Sequence, residues 1–261
     1  MIFLWGFSRF MILFPYPLLI DSNMNKKSSS EFSEAINQIN NAILSTFNKY
    51  GRSCSAFYQI GEKGLLPERS ILFVGMNPAG SRKGFQKWKG MKKDEYFKKN
   101  AMDISSYDRY YKIYSDNFGR SKKRDWNIID LLAQRSSNQS KIANSIDLII
   151  NRKRKYRAEK LINAQYKIFL KLIGILKPKV IVVMNAKASE YIKFKQFRNQ
   201  KKRIGKQGFW EMRLGKKQNL TIPILFTCPL STGRPMDIGT REQLKWNIKR
   251  ILKEMQNSPN K

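Results

Sequence analysis

The sequence predicts an α/β fold, a three-layer α/β/α arrangement around a central, mainly parallel four-stranded sheet. Three observations carry this expectation. Short apolar runs recur at Ile71-Leu72-Phe73-Val74, Ile128-Ile129, Val180-Ile181-Val182-Val183 and Ile222-Pro223-Ile224-Leu225-Phe226. Runs without polar alternation are the pattern of strands buried on both faces. Segments with helical spacing lie between them, and strands separated by helices pair in parallel under helical cover. The chain, at 261 residues, is long enough for one such domain with a sizeable core plus extensions.

Each element follows from local signals. Residues 25–30 are polar and are expected as a linker. Ser30 then caps a helix over residues 31–50, with Ile36, Ile39, Ile43 and Phe47 on one face. Gly51 ends it. The first strand is expected at 70–75. Residues 81–124 are basic and aromatic without clean periodicity, as in a long functional loop with short helices. A second strand is expected at 126–132, and Ile146 to Ile150 fit a short helix. A longer helix over 157–176 turns Leu161, Ile162, Tyr166, Phe169, Leu170 and Ile173 to a core, and Lys177-Pro178 stops it. The third strand is 180–183, followed by a helix over 186–194. Residues 209–214 fit an edge strand outside the central four. The fourth main strand is 222–227, and a helix over 238–255 closes the chain.

Charge narrows the class of partner. Lys and Arg number 51 against 19 Asp and Glu, a net charge of +32. Such a field attracts a polyanion, and nucleic acid is the usual one. Histidine is absent, which removes Ser-His-Asp hydrolysis and histidine zinc motifs. With only Cys54 and Cys228, no four-cysteine metal site forms within the chain, and free thiols in a reducing cytosol are expected. No metal and no cofactor are expected. Residues 1–24 read as an apolar amino-terminal arm or a mis-called start: Arg9, Pro15 and Pro17 interrupt the apolar run, and Met24 opens a polar segment. Residues 25–261 are expected as a single cytoplasmic domain, monomeric and without a membrane segment.

The first strand stops on Gly75-Met76-Asn77-Pro78-Ala79-Gly80. Gly75 permits a sharp turn and Pro78 fixes the next bend. Asn77 is left at the carboxyl end of a strand, where open parallel sheets bind ligands. Its neutral amide suits a water or a base edge, and the same six residues also suit an ordinary turn.

This loop resembles the Gly-x-Asn-Pro-Gly loop of the mismatch-specific and single-strand-selective branches of the uracil-DNA glycosylase superfamily. Lys177-Pro178-Lys179-Val180-Ile181-Val182-Val183 resembles that family's step from helix to third strand, and Pro229-Leu230-Ser231-Thr232-Gly233-Arg234 its second motif. The order and spacing span residues 70–252. The chain departs from the most efficient uracil enzymes, which carry Asp in the first motif and His in the second. With Pro-Leu-Ser aligned, Cys228 falls just before the second motif and is expected as a small buried residue.

The resemblance implies a DNA glycosylase that extrudes a nucleotide before cleaving its glycosidic bond, because that bond is out of reach within the duplex. Leu230 would wedge into the gap, with Ser231, Thr232, Arg234, Ser81 and Arg82 on the flanking DNA. Asn77 would position the attacking water, and backbone N–H groups from Met76 onward would meet developing negative charge at the base. Phe85 would stack on the base, chosen over Trp88, Tyr107, Tyr110 and Tyr111. Asp130 stands where the family often places an Asn that reads the pyrimidine edge. An ionised carboxylate only accepts hydrogen bonds, which suits the exocyclic amine of a cytosine and not uracil O4. General base on water, loop capping and pairing with Arg135 are the competing roles for Asp130.

The reading is a monofunctional glycosylase that removes a modified pyrimidine and leaves an abasic site. Modified cytosine in phage DNA, hence antiviral defence, leads over uracil or mismatch repair. A non-catalytic nucleic-acid-binding protein and a nuclease are the rival classes.

Overall fold

The structure, a computed structural model, describes residues 22–52, 55–61, 64–78, 90–100, 108–119, 124–135, 139–151, 157–197, 209–214, 220–228 and 236–257. Among the described residues five strands form one sheet: β1 (Ile71–Gly75), β2 (Trp126–Asp130), β3 (Val180–Val183), β4 (Trp210–Leu214) and β5 (Leu220–Phe226), in the order β2-β1-β3-β5-β4. β1 pairs in parallel with β2 and β3, and β3 in parallel with β5. The expected four-stranded sheet is therefore a mixed, mostly parallel sheet of five. The added strand is the 209–214 segment, which pairs antiparallel with β5 from Trp210↔Ile224 to Leu214↔Leu220. Its alternation explains the edge position, since Met212 and Leu214 are buried while Arg213 between them is exposed.

Seven helices are described: α1 (Ser22–Lys49), α2 (Lys93–Lys99), α3 (Asp108–Phe118), α4 (Gln139–Ile150), α5 (Arg157–Leu176), α6 (Ala186–Phe197) and α7 (Ile238–Asn257). α1 begins at Ser22, so the expected linker at 25–30 is helical and Ser30 is no cap. Burial begins only at Phe32 among the residues whose exposure is described. The earlier polar turns extend a helix nucleated by its amphipathic part, and adding residues to a formed helix is far easier than starting one.

The end of α1 matches expectation. Gly51 takes φ 63°, its N–H donates to Asn48 O, and Arg52 N–H donates to Phe47 O. This is the Schellman pattern, in which a left-handed glycine lets the chain turn back on the last carbonyls. α5 likewise ends at Leu176, with Lys177 at φ 45° and its N–H bonded to Ile173 O before Pro178.

Apolar cores lie on both faces of the sheet. On one, Leu72, Val74, Ile129, Ile181 and Val183 meet Ile36, Ile43 and Phe47 of α1 and Ile162, Phe169 and Ile173 of α5. On the other, Phe73, Ile128, Val180 and Val182 meet Tyr114 of α3 and Leu244, Ile248 and Ile251 of α7. Each fully buried aliphatic or aromatic side chain contributes roughly 1.5–3 kcal/mol, so this double-sided burial fixes the strand order and register. No described helix is long and apolar enough to cross a membrane.

Candidate active site

Because β1, β2, β3 and β5 run parallel, their carboxyl ends share one edge. That edge carries Gly75 to Pro78, Asp130, Met184 with Asn185, and Thr227 with Cys228. Backbone bonds continue past the strands: Leu131 N–H donates to Gly75 O at 3.1 Å, Leu132 N–H to Met76 O at 3.0 Å, and Thr227 N–H to Val183 O at 2.9 Å. The loop after β1 is thereby held against the residues that follow β2.

Register makes Gly75 the partner of Asp130. Side chains of paired residues on neighbouring parallel strands project to the same face, here the face of Phe73 and Ile128. A Cβ built on Gly75 would overlap Oδ1 of Asp130. The carboxyl thus folds over β1 through the space that glycine leaves open. Asp130 is partly exposed, and its pKa is raised to about 7. Desolvation is the main cause, and the Arg135 guanidinium opposes it. At neutral pH both protonation states are therefore populated. Among the described residues no ion pair joins Asp130 and Arg135. The Arg135 guanidinium instead donates to Asn100 O at 3.1 Å.

Asn77 lies two residues beyond Gly75 and is 5% exposed. Its Nδ2 donates to the Pro78 carbonyl at 3.2 Å. Its Oδ1 is buried with no hydrogen-bond partner among the described residues. A buried amide oxygen without a donor costs about 1–3 kcal/mol, and such orphans concentrate where a ligand completes the set. Met76 is buried with Leu72 and Val74 in the core on the α1 and α5 side, so only its backbone is available at the edge.

The support beneath Asp130 was not read from the sequence. Asn40 of α1 donates to Tyr58 O at 2.8 Å and accepts from Tyr58 N–H at 2.9 Å. The Tyr58 hydroxyl in turn reaches the Asp130 carbonyl at 3.5 Å, and burial pushes the phenol far up in pKa. Ala56 N–H bonds Ala133 O, and Gln165 of α5 accepts from Gln134 N–H at 3.0 Å. Two helices thus anchor the segment after β2. The signal was available, because Asn40 sits within the apolar series Ile36, Ile39, Ile43. A cavity of about 10 Å³ bordered by Tyr58, Asp130, Leu131, Ala133 and Gln165 has room for about one water and not for a nucleobase.

The other candidates divide. Phe85, Ser81, Arg82, Leu230, Ser231, Thr232 and Arg234 lie outside the described residues, as do Trp88 and Tyr107. What is fixed is where the second motif's flanks stand. Cys228 ends the segment after β5, and Met236 packs in the core with Phe73 and Ile128. β1 and β5 are two places apart in the sheet, roughly 10 Å at about 4.8 Å per strand. Cys228 is exposed, against the expectation of a buried small residue. It lies beyond the end of β5, past the last residue paired with β3. Among the described residues, no three Cys, Asp or Glu side chains gather as a metal site would require.

No protein-family profile matches this chain, and no curated protein matches it. The likeness to the uracil-DNA glycosylase superfamily rests on the three sequence motifs.

Proposed function

We propose that this protein is a monofunctional DNA glycosylase of the uracil-DNA glycosylase type, hydrolysing the N-glycosidic bond of a modified pyrimidine to leave an abasic site. The observation that carries the reading is Asn77, a buried amide whose Oδ1 lacks a donor, next to a strand end occupied by Asp130. An amide held by Pro78 through Nδ2 presents its oxygen to one further hydrogen. A water donating to that oxygen is oriented for attack on the sugar carbon. The bond breaks towards a cationic sugar and an anionic base. Backbone N–H groups of the loop that begins at Met76 stabilise the base, and the DNA phosphates favour the sugar cation.

Further support comes from the sheet. Strand order β2-β1-β3-β5 brings Asn77 and Cys228, which stand at the two motifs, to one edge of the sheet. The net charge of +32 suits a DNA partner. Leu230, Ser231, Thr232 and Arg234 then grip the strand and fill the gap, Ser81 and Arg82 hold phosphates, and Phe85 stacks on the extruded base. In this reading the enzyme acts in the cytoplasm without metal or cofactor.

Asp130 sets the substrate. Ionised, it accepts from the exocyclic amine of a modified cytosine, the base with which phages mask their DNA, and the activity serves antiviral defence. Plain cytosine is no substrate, because the host's own DNA carries it. A second reading is favoured by the raised pKa: protonated, the same carboxyl donates to O4 of uracil, and the enzyme is a uracil or mismatch repair glycosylase.

The test is incubation with duplexes carrying uracil or modified cytosines, followed by alkaline cleavage at abasic sites. Strand breaks at modified cytosine support the first reading, and breaks confined to uracil support the second. No breaks in any substrate would leave a non-catalytic DNA-binding protein.

A further inference from the structure

Trp246 is 58% exposed in the middle of α7, with Ile238 at 73% on the same helix. A tryptophan so far out of the core is uncommon, and this one is ordered by its neighbours. The Arg250 guanidinium lies over the Trp246 ring at 5.1 Å and over the buried Phe209 ring at 4.5 Å. The indole is thus tied through a cation to the core, while more than half of its surface faces solvent.

Its surroundings define the partner. At about 100° per residue, Ile238, Lys249, Lys253 and Trp246 fall within an arc of about 80° on α7. That arc opposes the core positions Leu244, Ile248 and Ile251. Lys249 and Lys253 are exposed on it. Glu242 lies on the same arc but is paired with Lys245, so the surface joins one flat aromatic ring to two cations, Lys249 and Lys253, beyond a neutralised carboxylate. That combination fits a strand whose bases are free to stack and whose phosphates are anionic. A duplex hides its base faces, and an acidic peptide offers a flat ring only where an aromatic residue stands beside its carboxylates, whereas a single strand offers a ring and an anion at every nucleotide.

We infer that the outer face of α7 is a docking surface for single-stranded DNA, with a base stacked on Trp246 and phosphates on Lys249 and Lys253. The surface starts at Ile238, just beyond the flank of the second motif, and Trp246 stands about 12 Å further along the helix. It therefore receives nucleotides that flank the candidate site and not the one undergoing reaction. The inference rests on the nucleic-acid part of the proposed function and is independent of the glycosidic chemistry.

The experiment uses the full chain and a fluorescent thymidine oligonucleotide, with wild type, Trp246→Ala, Trp246→Phe and the double variant Lys249→Glu/Lys253→Glu. Trp246→Ala is expected to weaken binding by roughly 5- to 100-fold, and Trp246→Phe by less. On an oligonucleotide of the same length whose residues are abasic, Trp246→Ala is expected to bind like wild type, because no base is there to stack. The double variant is expected to weaken both oligonucleotides and to lower the salt dependence. Thermal melting of each variant controls for folding. Equal affinity of wild type and Trp246→Ala for the thymidine oligonucleotide overturns the proposal, as does an equal loss on the abasic one. Asn77→Ala separates the two claims. If it retains the Trp246-dependent affinity and neither it nor wild type releases a base, the docking surface stands and the glycosylase reading fails.

Discussion

The carboxyl of Asp130 occupies the space that a side chain on Gly75 would fill. The two residues are register partners on adjacent parallel strands. Gly75 is not among the glycines with positive φ, so its backbone does not itself demand glycine. What demands it is the neighbour. Gly75→Ala is expected to change stability by no more than about 1 kcal/mol, since the atom that must give way is the end of a short side chain. That atom belongs to the proposed base reader, so base release is expected to fall by about 100-fold or more. A double-mutant cycle checks the link: in an Asp130→Ala background, Gly75→Ala is expected to have no further effect on base release.

Asp130 makes stability depend on pH in a definite direction. Its carboxyl is raised from 3.8 unfolded to about 7 folded, chiefly by desolvation. The folded state thus holds the extra proton between these values, and stability falls as pH rises through that window. Asp130→Asn mimics the protonated form at every pH. It is expected to match wild type near pH ~4 and to exceed it by roughly 2–4 kcal/mol above pH ~7. Urea unfolding at several pH values measures the difference. A constant gap across the range would contradict the burial of this carboxyl.

The same titration separates the two substrates. Reading a cytosine amine requires the ionised carboxylate, so base release should rise as pH passes upward through about 7. Reading uracil O4 requires the protonated acid, so base release should fall over that interval. Initial rates of base release on each substrate, from about pH 6 to about pH 8, distinguish the two.

Asn40 is expected to matter through Tyr58 and not through any substrate. It satisfies both backbone groups of Tyr58, which are buried between α1 and the segment after β2. Asn40→Ala leaves an N–H and a C=O without partners and is expected to cost roughly 2–4 kcal/mol. Chemical denaturation measures this. A loss below about 0.5 kcal/mol would mean that water replaces the amide at that position.

Much of this architecture was legible. Apolar runs located β1, β2, β3 and β5, because a strand buried on both faces needs apolar residues at nearly every position. Gly51 and Lys177-Pro178 located two helix ends, because backbone conformation there is governed by the residue itself. α2 and α3 were not resolved within residues 81–124, where Tyr96 and Tyr114 are buried among lysines that give no clean period. The start of α1 was missed because residues 22–31 carry no apolar stripe. At the site, Asn77 and Asp130 were legible as residues at strand ends. The dependence of Asp130 on Gly75 was not, because it follows from register, and register is a relation between segments about 55 residues apart. Trp246 drew no separate reading from the sequence, because whether a helix face stays uncovered depends on what packs against it.

Asn77 supports the central claim, and its removal is the most direct test. Asn77→Ala deletes a buried oxygen that has no donor, so folding stability is expected to be unchanged or slightly higher. The decisive measurement is mass spectrometry of free base released from DNA containing modified cytosine or uracil, with wild type and Asn77→Ala side by side. Wild type is expected to give free base and matching abasic sites, and the variant at least about 100-fold less. Equal release from both proteins, or none from wild type on any modified pyrimidine, would contradict it.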